Sequence, residues 1–418
     1  MFVKLGDIAE VLLSNVDKKS KTNEQKIKLC NFVDVYKNYA ITKKMIPLFL
    51  EATASPQAIR RFTVKKGYLA ITKDSETRDD IGVGTYFADD FDNVILGYHC
   101  ALIKPDTKKV YSKYLNAFIQ SYFTRKYYEQ SASGSGQRYT LTLEIIQNTP
   151  ILLPDYEKQI IIGDLLSGLD FQIEKNNEMV TKLQDLARLI YERFFYHFTF
   201  PNFSSTDFSF DPTLKRTIPK DWKAVKVKDC IDHIVTGLNP RDNFILNDGE
   251  IKYITVKNIT TEGQLDFSDC DTINESTRQL IRKRSKLSRG DILFASIAPL
   301  GRCYLVEDTP YSWEINESVF SIKPNSLNVS SEYLYLFFMS RYFIKKAEHG
   351  SIGSVFNGIR ISFLEEMDIL IPPKEIMTSF TKAVSPLLRL KYLVSQNNCE
   401  LSKLKNKLMP LLINQQLL

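Results

Sequence analysis

Histidine is almost missing from this chain. Four residues in 418, at positions 99, 197, 233 and 349, lie too far apart for the short ligand spacings of a metal site. Cysteine is scarce as well: six residues (30, 100, 230, 270, 303 and 399) without one Cys-x-x-Cys pair. That excludes a zinc knuckle or a disulfide scaffold and fits a reducing compartment. No apolar run approaches the roughly 18 residues of a membrane span, and the opening MFVKLGDIAEVLL lacks the layout of a signal peptide. A soluble, cytoplasmic protein is expected. No GxxxxGK[ST] loop is present to cradle phosphates for an ATP-driven motor, and no G-x-G-x-x-G follows a strand. Pro372-Pro373 is followed by Lys374, not by the aromatic residue of an amino-methyltransferase motif. The best imitation of a nuclease site is Asp242 with Glu250-Ile251-Lys252, but Glu-x-Lys recurs at Glu24-Gln25-Lys26, as it does in any Lys-rich chain. No catalytic centre and no metal site are therefore expected.

What the chain does have is length, aromatic side chains and a mild positive charge. At 418 residues it exceeds one ordinary domain. Phenylalanine (26) and tyrosine (21) supply large residues for packing or contact, and the net charge of +6 permits an anionic partner without demonstrating one.

The strongest signal is internal repetition. VKLGDIAE near the start is answered by VKVKDCID, so that Asp7 matches Asp229. IKLCNFVDV (27–35) is answered by IKYITVKNI (251–259), and VKKGYLAITK (64–73) by LSRGDILFAS (287–296), aligning Gly67 with Gly290. ALIKP, YLNAFIQS and PILLP find FSIKP, YLYLFFMS and DILIP. Six ordered pairings with offsets confined to 218–224 residues mark a tandem duplication. Within each copy the β-branched segments read as short strands and the aromatic segments as helices. A Gly/Ser-rich loop follows in each, SASGSGQRYT (131–140) and GSIGSVFNGIR (350–360), and then a strand ending at proline. Each copy is thus expected to begin with a mixed α/β globule.

After Pro154 the pattern becomes a long helix. Ile162, Leu166, Leu169, Ile173, Val180, Leu183, Ala187, Ile190 and Phe194 follow alternating steps of three and four, with Asn176 as the polar entry. The second copy offers Leu387, Leu390, Val394, Leu401, Leu404, Leu408 and Leu411, with Asn397 as its polar entry. Gly168 and Pro386 are expected to break off the first turns of each arm, and Pro410 to disturb the last turns of the second. The arms either pack as amphipathic helices on their own domains or pair with each other. Related by a pseudo-twofold axis, they would pair antiparallel and bring Asn176 and Asn397 within about one core layer, fixing register.

Basic residues are uneven. RQLIRKRSKLSR (278–289) carries Arg278, Arg282, Lys283, Arg284, Lys286 and Arg289 with no acid, just before Gly290. Arg60, Arg61, Lys65 and Lys66 form a weaker counterpart before Gly67. Each stretch is either a solvated surface or part of a shared basic edge that meets phosphate. Base reading needs Arg, Asn, Gln, Lys or Ser on nearby loops. Lys73, Gln137 and Arg138 in the first copy, and Ser296, Arg302, Asn357 and Arg360 in the second, are the candidates.

The ordered set resembles the specificity subunit of a type I restriction–modification system. The resemblance rests on IPKDWKAVKVKDCI (218–231), on KGYLAI and RGDILFAS with their Gly-Asp-Ile-Leu-like turn, and on ILLPDYEKQIIIGDLLSGLD (151–170) as a domain exit. Tyr68 replaces the usual Asp in copy one, and the second exit, IPPKEIMTSFTKAVSPLL, lacks the usual Gln. The resemblance implies a mixed α/β fold with two target recognition domains, residues 1–153 and 222–371. Helical arms at 154–198 and 372–418 would pair as an antiparallel coiled coil, with a linker at 199–221. Each domain would read one half of a split double-stranded DNA target, and the arms would set the unread gap. The arms would also hold two methyltransferase subunits that bring S-adenosylmethionine and methylate adenine. A motor-nuclease subunit using ATP and Mg would join where DNA is cut. Two other readings stay open: the specificity subunit of a fused modification–nuclease enzyme, and a coiled-coil scaffold that does not bind DNA.

Overall fold

A computed structural model of the chain describes residues 1–134, 136–199, 207–350, 358–414 and 416. Two compact units are found, Met1–Lys175 with Cys399–Leu418, and Asn176–Asn398. Each long arm is thus shared between the units instead of standing apart from them.

In the first unit the main sheet runs in the order Ala9–Leu13, Cys100–Pro105, Leu69–Thr72, Gly84–Phe87, Ala40–Ile41. A second sheet holds Leu50–Ala54, Gln25–Cys30 and Val94–Leu96, the last pair parallel. The second unit repeats both. Ile231–Thr236, Val319–Pro324, Ile292–Ala295 and Cys303–Leu305 form its main sheet. Asp271–Ile273, Ile251–Ile254 and Trp313–Ile315 form the other, again with its last pair parallel. Strands such as Leu69–Thr72 and Ile292–Ala295 are buried along their whole length, which is why they read as unbroken apolar runs without alternation.

The duplicated glycines mark a duplicated turn. Gly67 and Gly290 have φ of +85° and +91°, a region costly for any residue with a Cβ, and each donates its N–H at 2.8 Å, to the carbonyl of Phe87 at the end of a strand and of Val306 just past one. In the second unit Asp291 secures the turn by accepting the Ser288 N–H at 2.8 Å. Tyr68, standing in its place in the first, has no carboxylate to do so.

Aromatic helices close the cores. Ser112–Ile119 buries Tyr114, Leu115 and Phe118, and Ser331–Phe338 buries every side chain from Tyr333 to Phe338. Each such large apolar side chain contributes roughly 1.5–3 kcal/mol on burial. Their tyrosine hydroxyls find the same partner in both units: Tyr114 donates to the Leu152 carbonyl at 2.5 Å and Tyr333 to that of Leu370.

Both arms run without interruption, Tyr156–Phe195 and Lys374–Ile413. The expected breaks at Gly168, Pro386 and Pro410 do not occur. A Cβ at Gly168 would meet nothing within 4 Å, so the glycine costs only propensity there. A proline removes a single N–H, a loss the packing around each arm outweighs. The expected linker is also partly ordered: Phe208–Asp211 and Arg216–Pro219 pair as an antiparallel hairpin.

Candidate nucleic-acid interface and the helical arms

In each unit the buried central strand ends beside the Gly/Ser loop, joined by equivalent backbone hydrogen bonds. Lys73 donates its N–H to His99 O (3.0 Å) and accepts from Leu141 (2.8 Å); Ser296 donates to Ser318 O (3.2 Å) and accepts from Ile359 (2.7 Å). The strand end and the loop are therefore neighbours; Lys73 and Ser296 lie there, both buried, with Arg138 exposed beside Lys73. The side-chain chemistry of the two ends differs.

In the first unit a carboxylate absent from the candidates organises the end. Asp74 Oδ1 accepts from Thr140 Oγ1 at 2.8 Å. Around Oδ2 lie His99 Nδ1 (2.8 Å), Arg138 Nη2 (3.1 Å) and Lys73 Nζ (3.4 Å). Because a carboxylate only accepts, His99 Nδ1 carries the proton in this contact. The 2.9 Å approach of Arg138 to the same nitrogen is then a contact between two donors, and the Arg138 hydrogen bond goes to Asp74. Burial pushes the Asp74 carboxyl up, but the bonds from His99 and Thr140 and the charges of Lys73 and Arg138 outweigh it and hold it below the usual range. Lys73 also lies 4.5 Å from the ring of the exposed Tyr98. Gln137 is exposed on the loop beside Arg138.

In the second unit the strand end carries no charge cluster among the described residues. Ser296 Oγ donates to Ser318 O at 2.7 Å. Arg302, expected to face DNA, is buried and turns inward instead. Its guanidinium donates to the carbonyls of Val256 (2.6 Å), Ile297 (3.0 Å), Pro299 (3.1 Å), Ala298 (3.2 Å) and Ile259 (3.3 Å). Five carbonyls make it the internal brace of the loop after Ala295. Arg360 is exposed, and Asn357 lies outside the described residues.

The basic stretch before Gly290 divides by helical face. Helix Glu275–Arg284, capped by Asn274, aims Arg278 and Arg282 at the fully buried Glu314. Arg282 reaches its Oε1 at 2.5 Å and Pro310 O at 2.7 Å. Burial raises the Glu314 carboxyl and the two arginines pull it partway back. Arg278 and Arg282 therefore hold the fold, while Lys283, Arg284, Lys286 and Arg289 are exposed. Arg284 leans on Thr236 Oγ1 at 3.0 Å. In the first unit Arg60 and Arg61 are exposed at the end of helix Pro56–Phe62, the counterpart position.

The arms run antiparallel within each unit. In the first, Ile162 and Leu166 share a core with Leu412 and Ile413, and Asp170 pairs with Lys405 at 2.6 Å. In the second, Asn176 donates to Asn398 at 2.8 Å, and Asn398 donates to Asn177 at 2.8 Å. Gln184 accepts from Lys391 (2.6 Å) and Tyr335 (2.8 Å), and Phe380 packs 4.8 Å from Phe195. Asn176 thus has the expected kind of partner, but it is Asn398. Asn397 is exposed, and the inward stripe of the second arm sits one residue further on: Leu388, Lys391, Asn398, Lys405, Leu412. A leucine count places the stripe wrongly because the seam also takes polar residues, Lys391, Asn398 and Lys405, which meet polar partners on the other arm. Leu390, Leu393, Leu404 and Leu411 are left exposed. Lys391 also donates to Gly263 O at 2.8 Å, and burial, aided by Arg188, lowers its pKa to about 7.

The missing glutamine at the second exit is visible too. Gln159 at the start of the first arm accepts from the Tyr111 N–H (2.8 Å) and donates to Pro154 O (2.9 Å). Met377 takes the corresponding place, with the Ser330 hydroxyl 3.9 Å from its sulfur.

No group of three or more His, Cys, Asp or Glu suited to a metal occurs among the described residues, and Asp242 and Glu250 are exposed. Burial pushes the thiols of Cys30, Cys100 and Cys303 up, leaving them protonated and poor nucleophiles. No helix among the described residues is long and apolar enough to cross a membrane.

Two copies of one α/β domain, each with a strand end beside a loop and each packed on antiparallel helices, define a tandem-duplicated protein with two like domains. The chain belongs to the family of the type I restriction modification DNA specificity domain, whose model matches residues 1–184 and 219–407. It is a specificity subunit with DNA target recognition domains. It is 24% identical over 306 residues to the Type I restriction enzyme MjaIX specificity subunit of Methanocaldococcus jannaschii, covering 73% of this chain and 68% of that one. Against the HindI specificity subunit of Haemophilus influenzae it is 21% identical over 419 residues, covering 85% and 87%. The crystal structure of a type I S subunit from M. genitalium shares the fold at TM-score 0.58 and 11% identity, covering 99% of this chain and 95% of that one. The family assignment favours neither the scaffold nor the fused-enzyme reading.

Proposed function

We propose that each unit reads one half of a split DNA target and that the paired arms set the gap between the halves. The observation that carries this reading is the duplication with unlike strand ends: one scaffold, twice, with a charged edge in the first copy and a largely neutral one in the second. An asymmetric target calls for that difference. Exposed Arg60, Arg61, Lys283, Lys286 and Arg289 contact phosphate, and exposed Arg138, Gln137 and Arg360 stand where base edges would be read, while the buried Ser296 holds the second strand end.

The arms also expose an apolar face in each unit: Ile161, Leu165, Phe171, Leu404 and Leu411 in the first, Met179, Leu186, Leu189, Leu390 and Leu393 in the second. Surface of this kind calls for a partner, and a face present twice suits two copies of one methyltransferase subunit. Those subunits carry S-adenosylmethionine and methylate adenine in the cytoplasm. A motor-nuclease partner, with ATP and magnesium, joins where the system cleaves.

The test is co-expression with the methyltransferase encoded beside this chain, followed by genome-wide mapping of methyladenine. A split motif that disappears on deleting the chain is expected, and exchanging residues 1–153 for those of a relative should change one half only. A motif in which both halves change together would overturn the reading.

A further inference from the structure

We propose that Asp74 is a positioning residue for DNA specificity: it holds Arg138, His99 and Lys73 as one preformed polar array, with Arg138 as its accessible donor and the outer ring nitrogen of His99 as an acceptor, for the half-site of the first unit. This rests on the half-site reading above. Asp74 and Lys73 contribute no contact of their own, since their side chains are only 8% and 10% exposed, whereas Arg138 and His99 are 54% and 42% exposed; Lys73 adds charge behind them. The groups it gathers are distant in sequence: His99 by 25 residues and Thr140 by 66. They come from the strand end, from the turn before Cys100 and from the strand after the Gly/Ser loop. One buried carboxylate therefore locks three segments at the point where the loop meets the sheet.

The charge balance suits such a task. Lys73 and Arg138 outnumber the single carboxylate, so the array stays cationic toward a duplex while its members are fixed. An arginine on a free loop loses rotamer freedom on binding; one already held by a carboxylate loses less. The guanidinium has five donors, and Asp74 engages it through one nitrogen at 3.1 Å. That leaves donors for a base edge such as guanine, which arginine reads in bidentate fashion. In the second unit Ser296, Ile297, Ser318 and Gly358 stand where the first has Lys73, Asp74, His99 and Thr140, so no carboxylate gathers the strand end among the described residues.

The experiment maps methylated sites in cells carrying the complex with Asp74→Asn or Arg138→Gln, beside the unchanged chain. Asp74→Asn keeps the side-chain shape and removes the charge. Both variants are expected to relax the same base positions in one half of the motif, with discrimination there falling about tenfold, and to leave the other half intact. The double variant should be no worse than Arg138→Gln alone, because the two act as one unit. Arg138 is largely exposed, so its variant reads out even if Asp74→Asn fails to fold. A split motif left unchanged by Arg138→Gln, or relaxed equally in both halves by Asp74→Asn, overturns this proposal alone. An unchanged chain that yields no split motif overturns the half-site reading and this proposal with it.

Discussion

Lys73 and Ser296 stand at the same point of two copies of one scaffold and are held by the same two backbone hydrogen bonds. Around Lys73, itself buried, fixity comes from ion pairs on one buried carboxylate, with Arg138 left accessible. Around Ser296, it comes from a buried arginine that spends its donors on five carbonyls and offers little to a ligand. Two arginines, Arg138 and Arg302, thus look alike in sequence and act oppositely: one is presented by the fold and the other holds it.

The contrast is broken most sharply by alanine at each arginine. Arg302→Ala strands several buried carbonyls, and a loss of about 3 kcal/mol is expected in chemical denaturation. Arg138→Ala, at an exposed position, should change stability by less than about 0.5 kcal/mol while relaxing one half-site. Equal stability effects would erase the distinction.

Lys391 sharpens the comparison between the arm segments, because the corresponding buried cation of the first unit, Lys405, has a carboxylate partner and Lys391 has none in contact. Its folded pKa of about 7 lies below its unfolded value, so between the two the unfolded chain binds more protons and stability rises with pH. The stability of the native chain relative to Lys391→Met is expected to grow from pH 7 toward pH 10, by at most about 1.4 kcal/mol per unit. A flat difference across that window would show that the amine is not desolvated.

The smallest expected effect tests the symmetry itself. Tyr114→Phe and Tyr333→Phe each remove one buried hydroxyl bond to an exit-strand carbonyl, and each should cost about 1 kcal/mol. Thermal unfolding that shows a cost in one copy only would mean the shared geometry is not shared energetics.

Much of this was legible in the chain. The duplication, the mixed α/β class, the glycine turns and the existence of both arms follow from local pattern, because strand and helix periodicity and positive-φ turns depend on near neighbours. The buried positions of the first arm, Ile162, Leu166, Val180, Ala187 and Phe194, were also readable, since they are apolar and correctly spaced. Asp74 gave one faint signal, a carboxylate three residues beyond an apolar run, and its partners His99, Arg138 and Thr140 lie dozens of residues away.

By itself, then, the sequence determined which segments form strands, helices and turns, that the unit occurs twice, and that loops and basic stretches recur at matching places. Tertiary structure alone decided which polar groups face inward. It moved the second arm's seam by one residue onto Lys391, Asn398 and Lys405, turned Arg282 and Arg302 into braces, and gathered Lys73, His99 and Arg138 on Asp74. The physical reason is that a polar side chain can be buried only where a partner meets it. Here those partners come from distant segments that only the folded chain brings together.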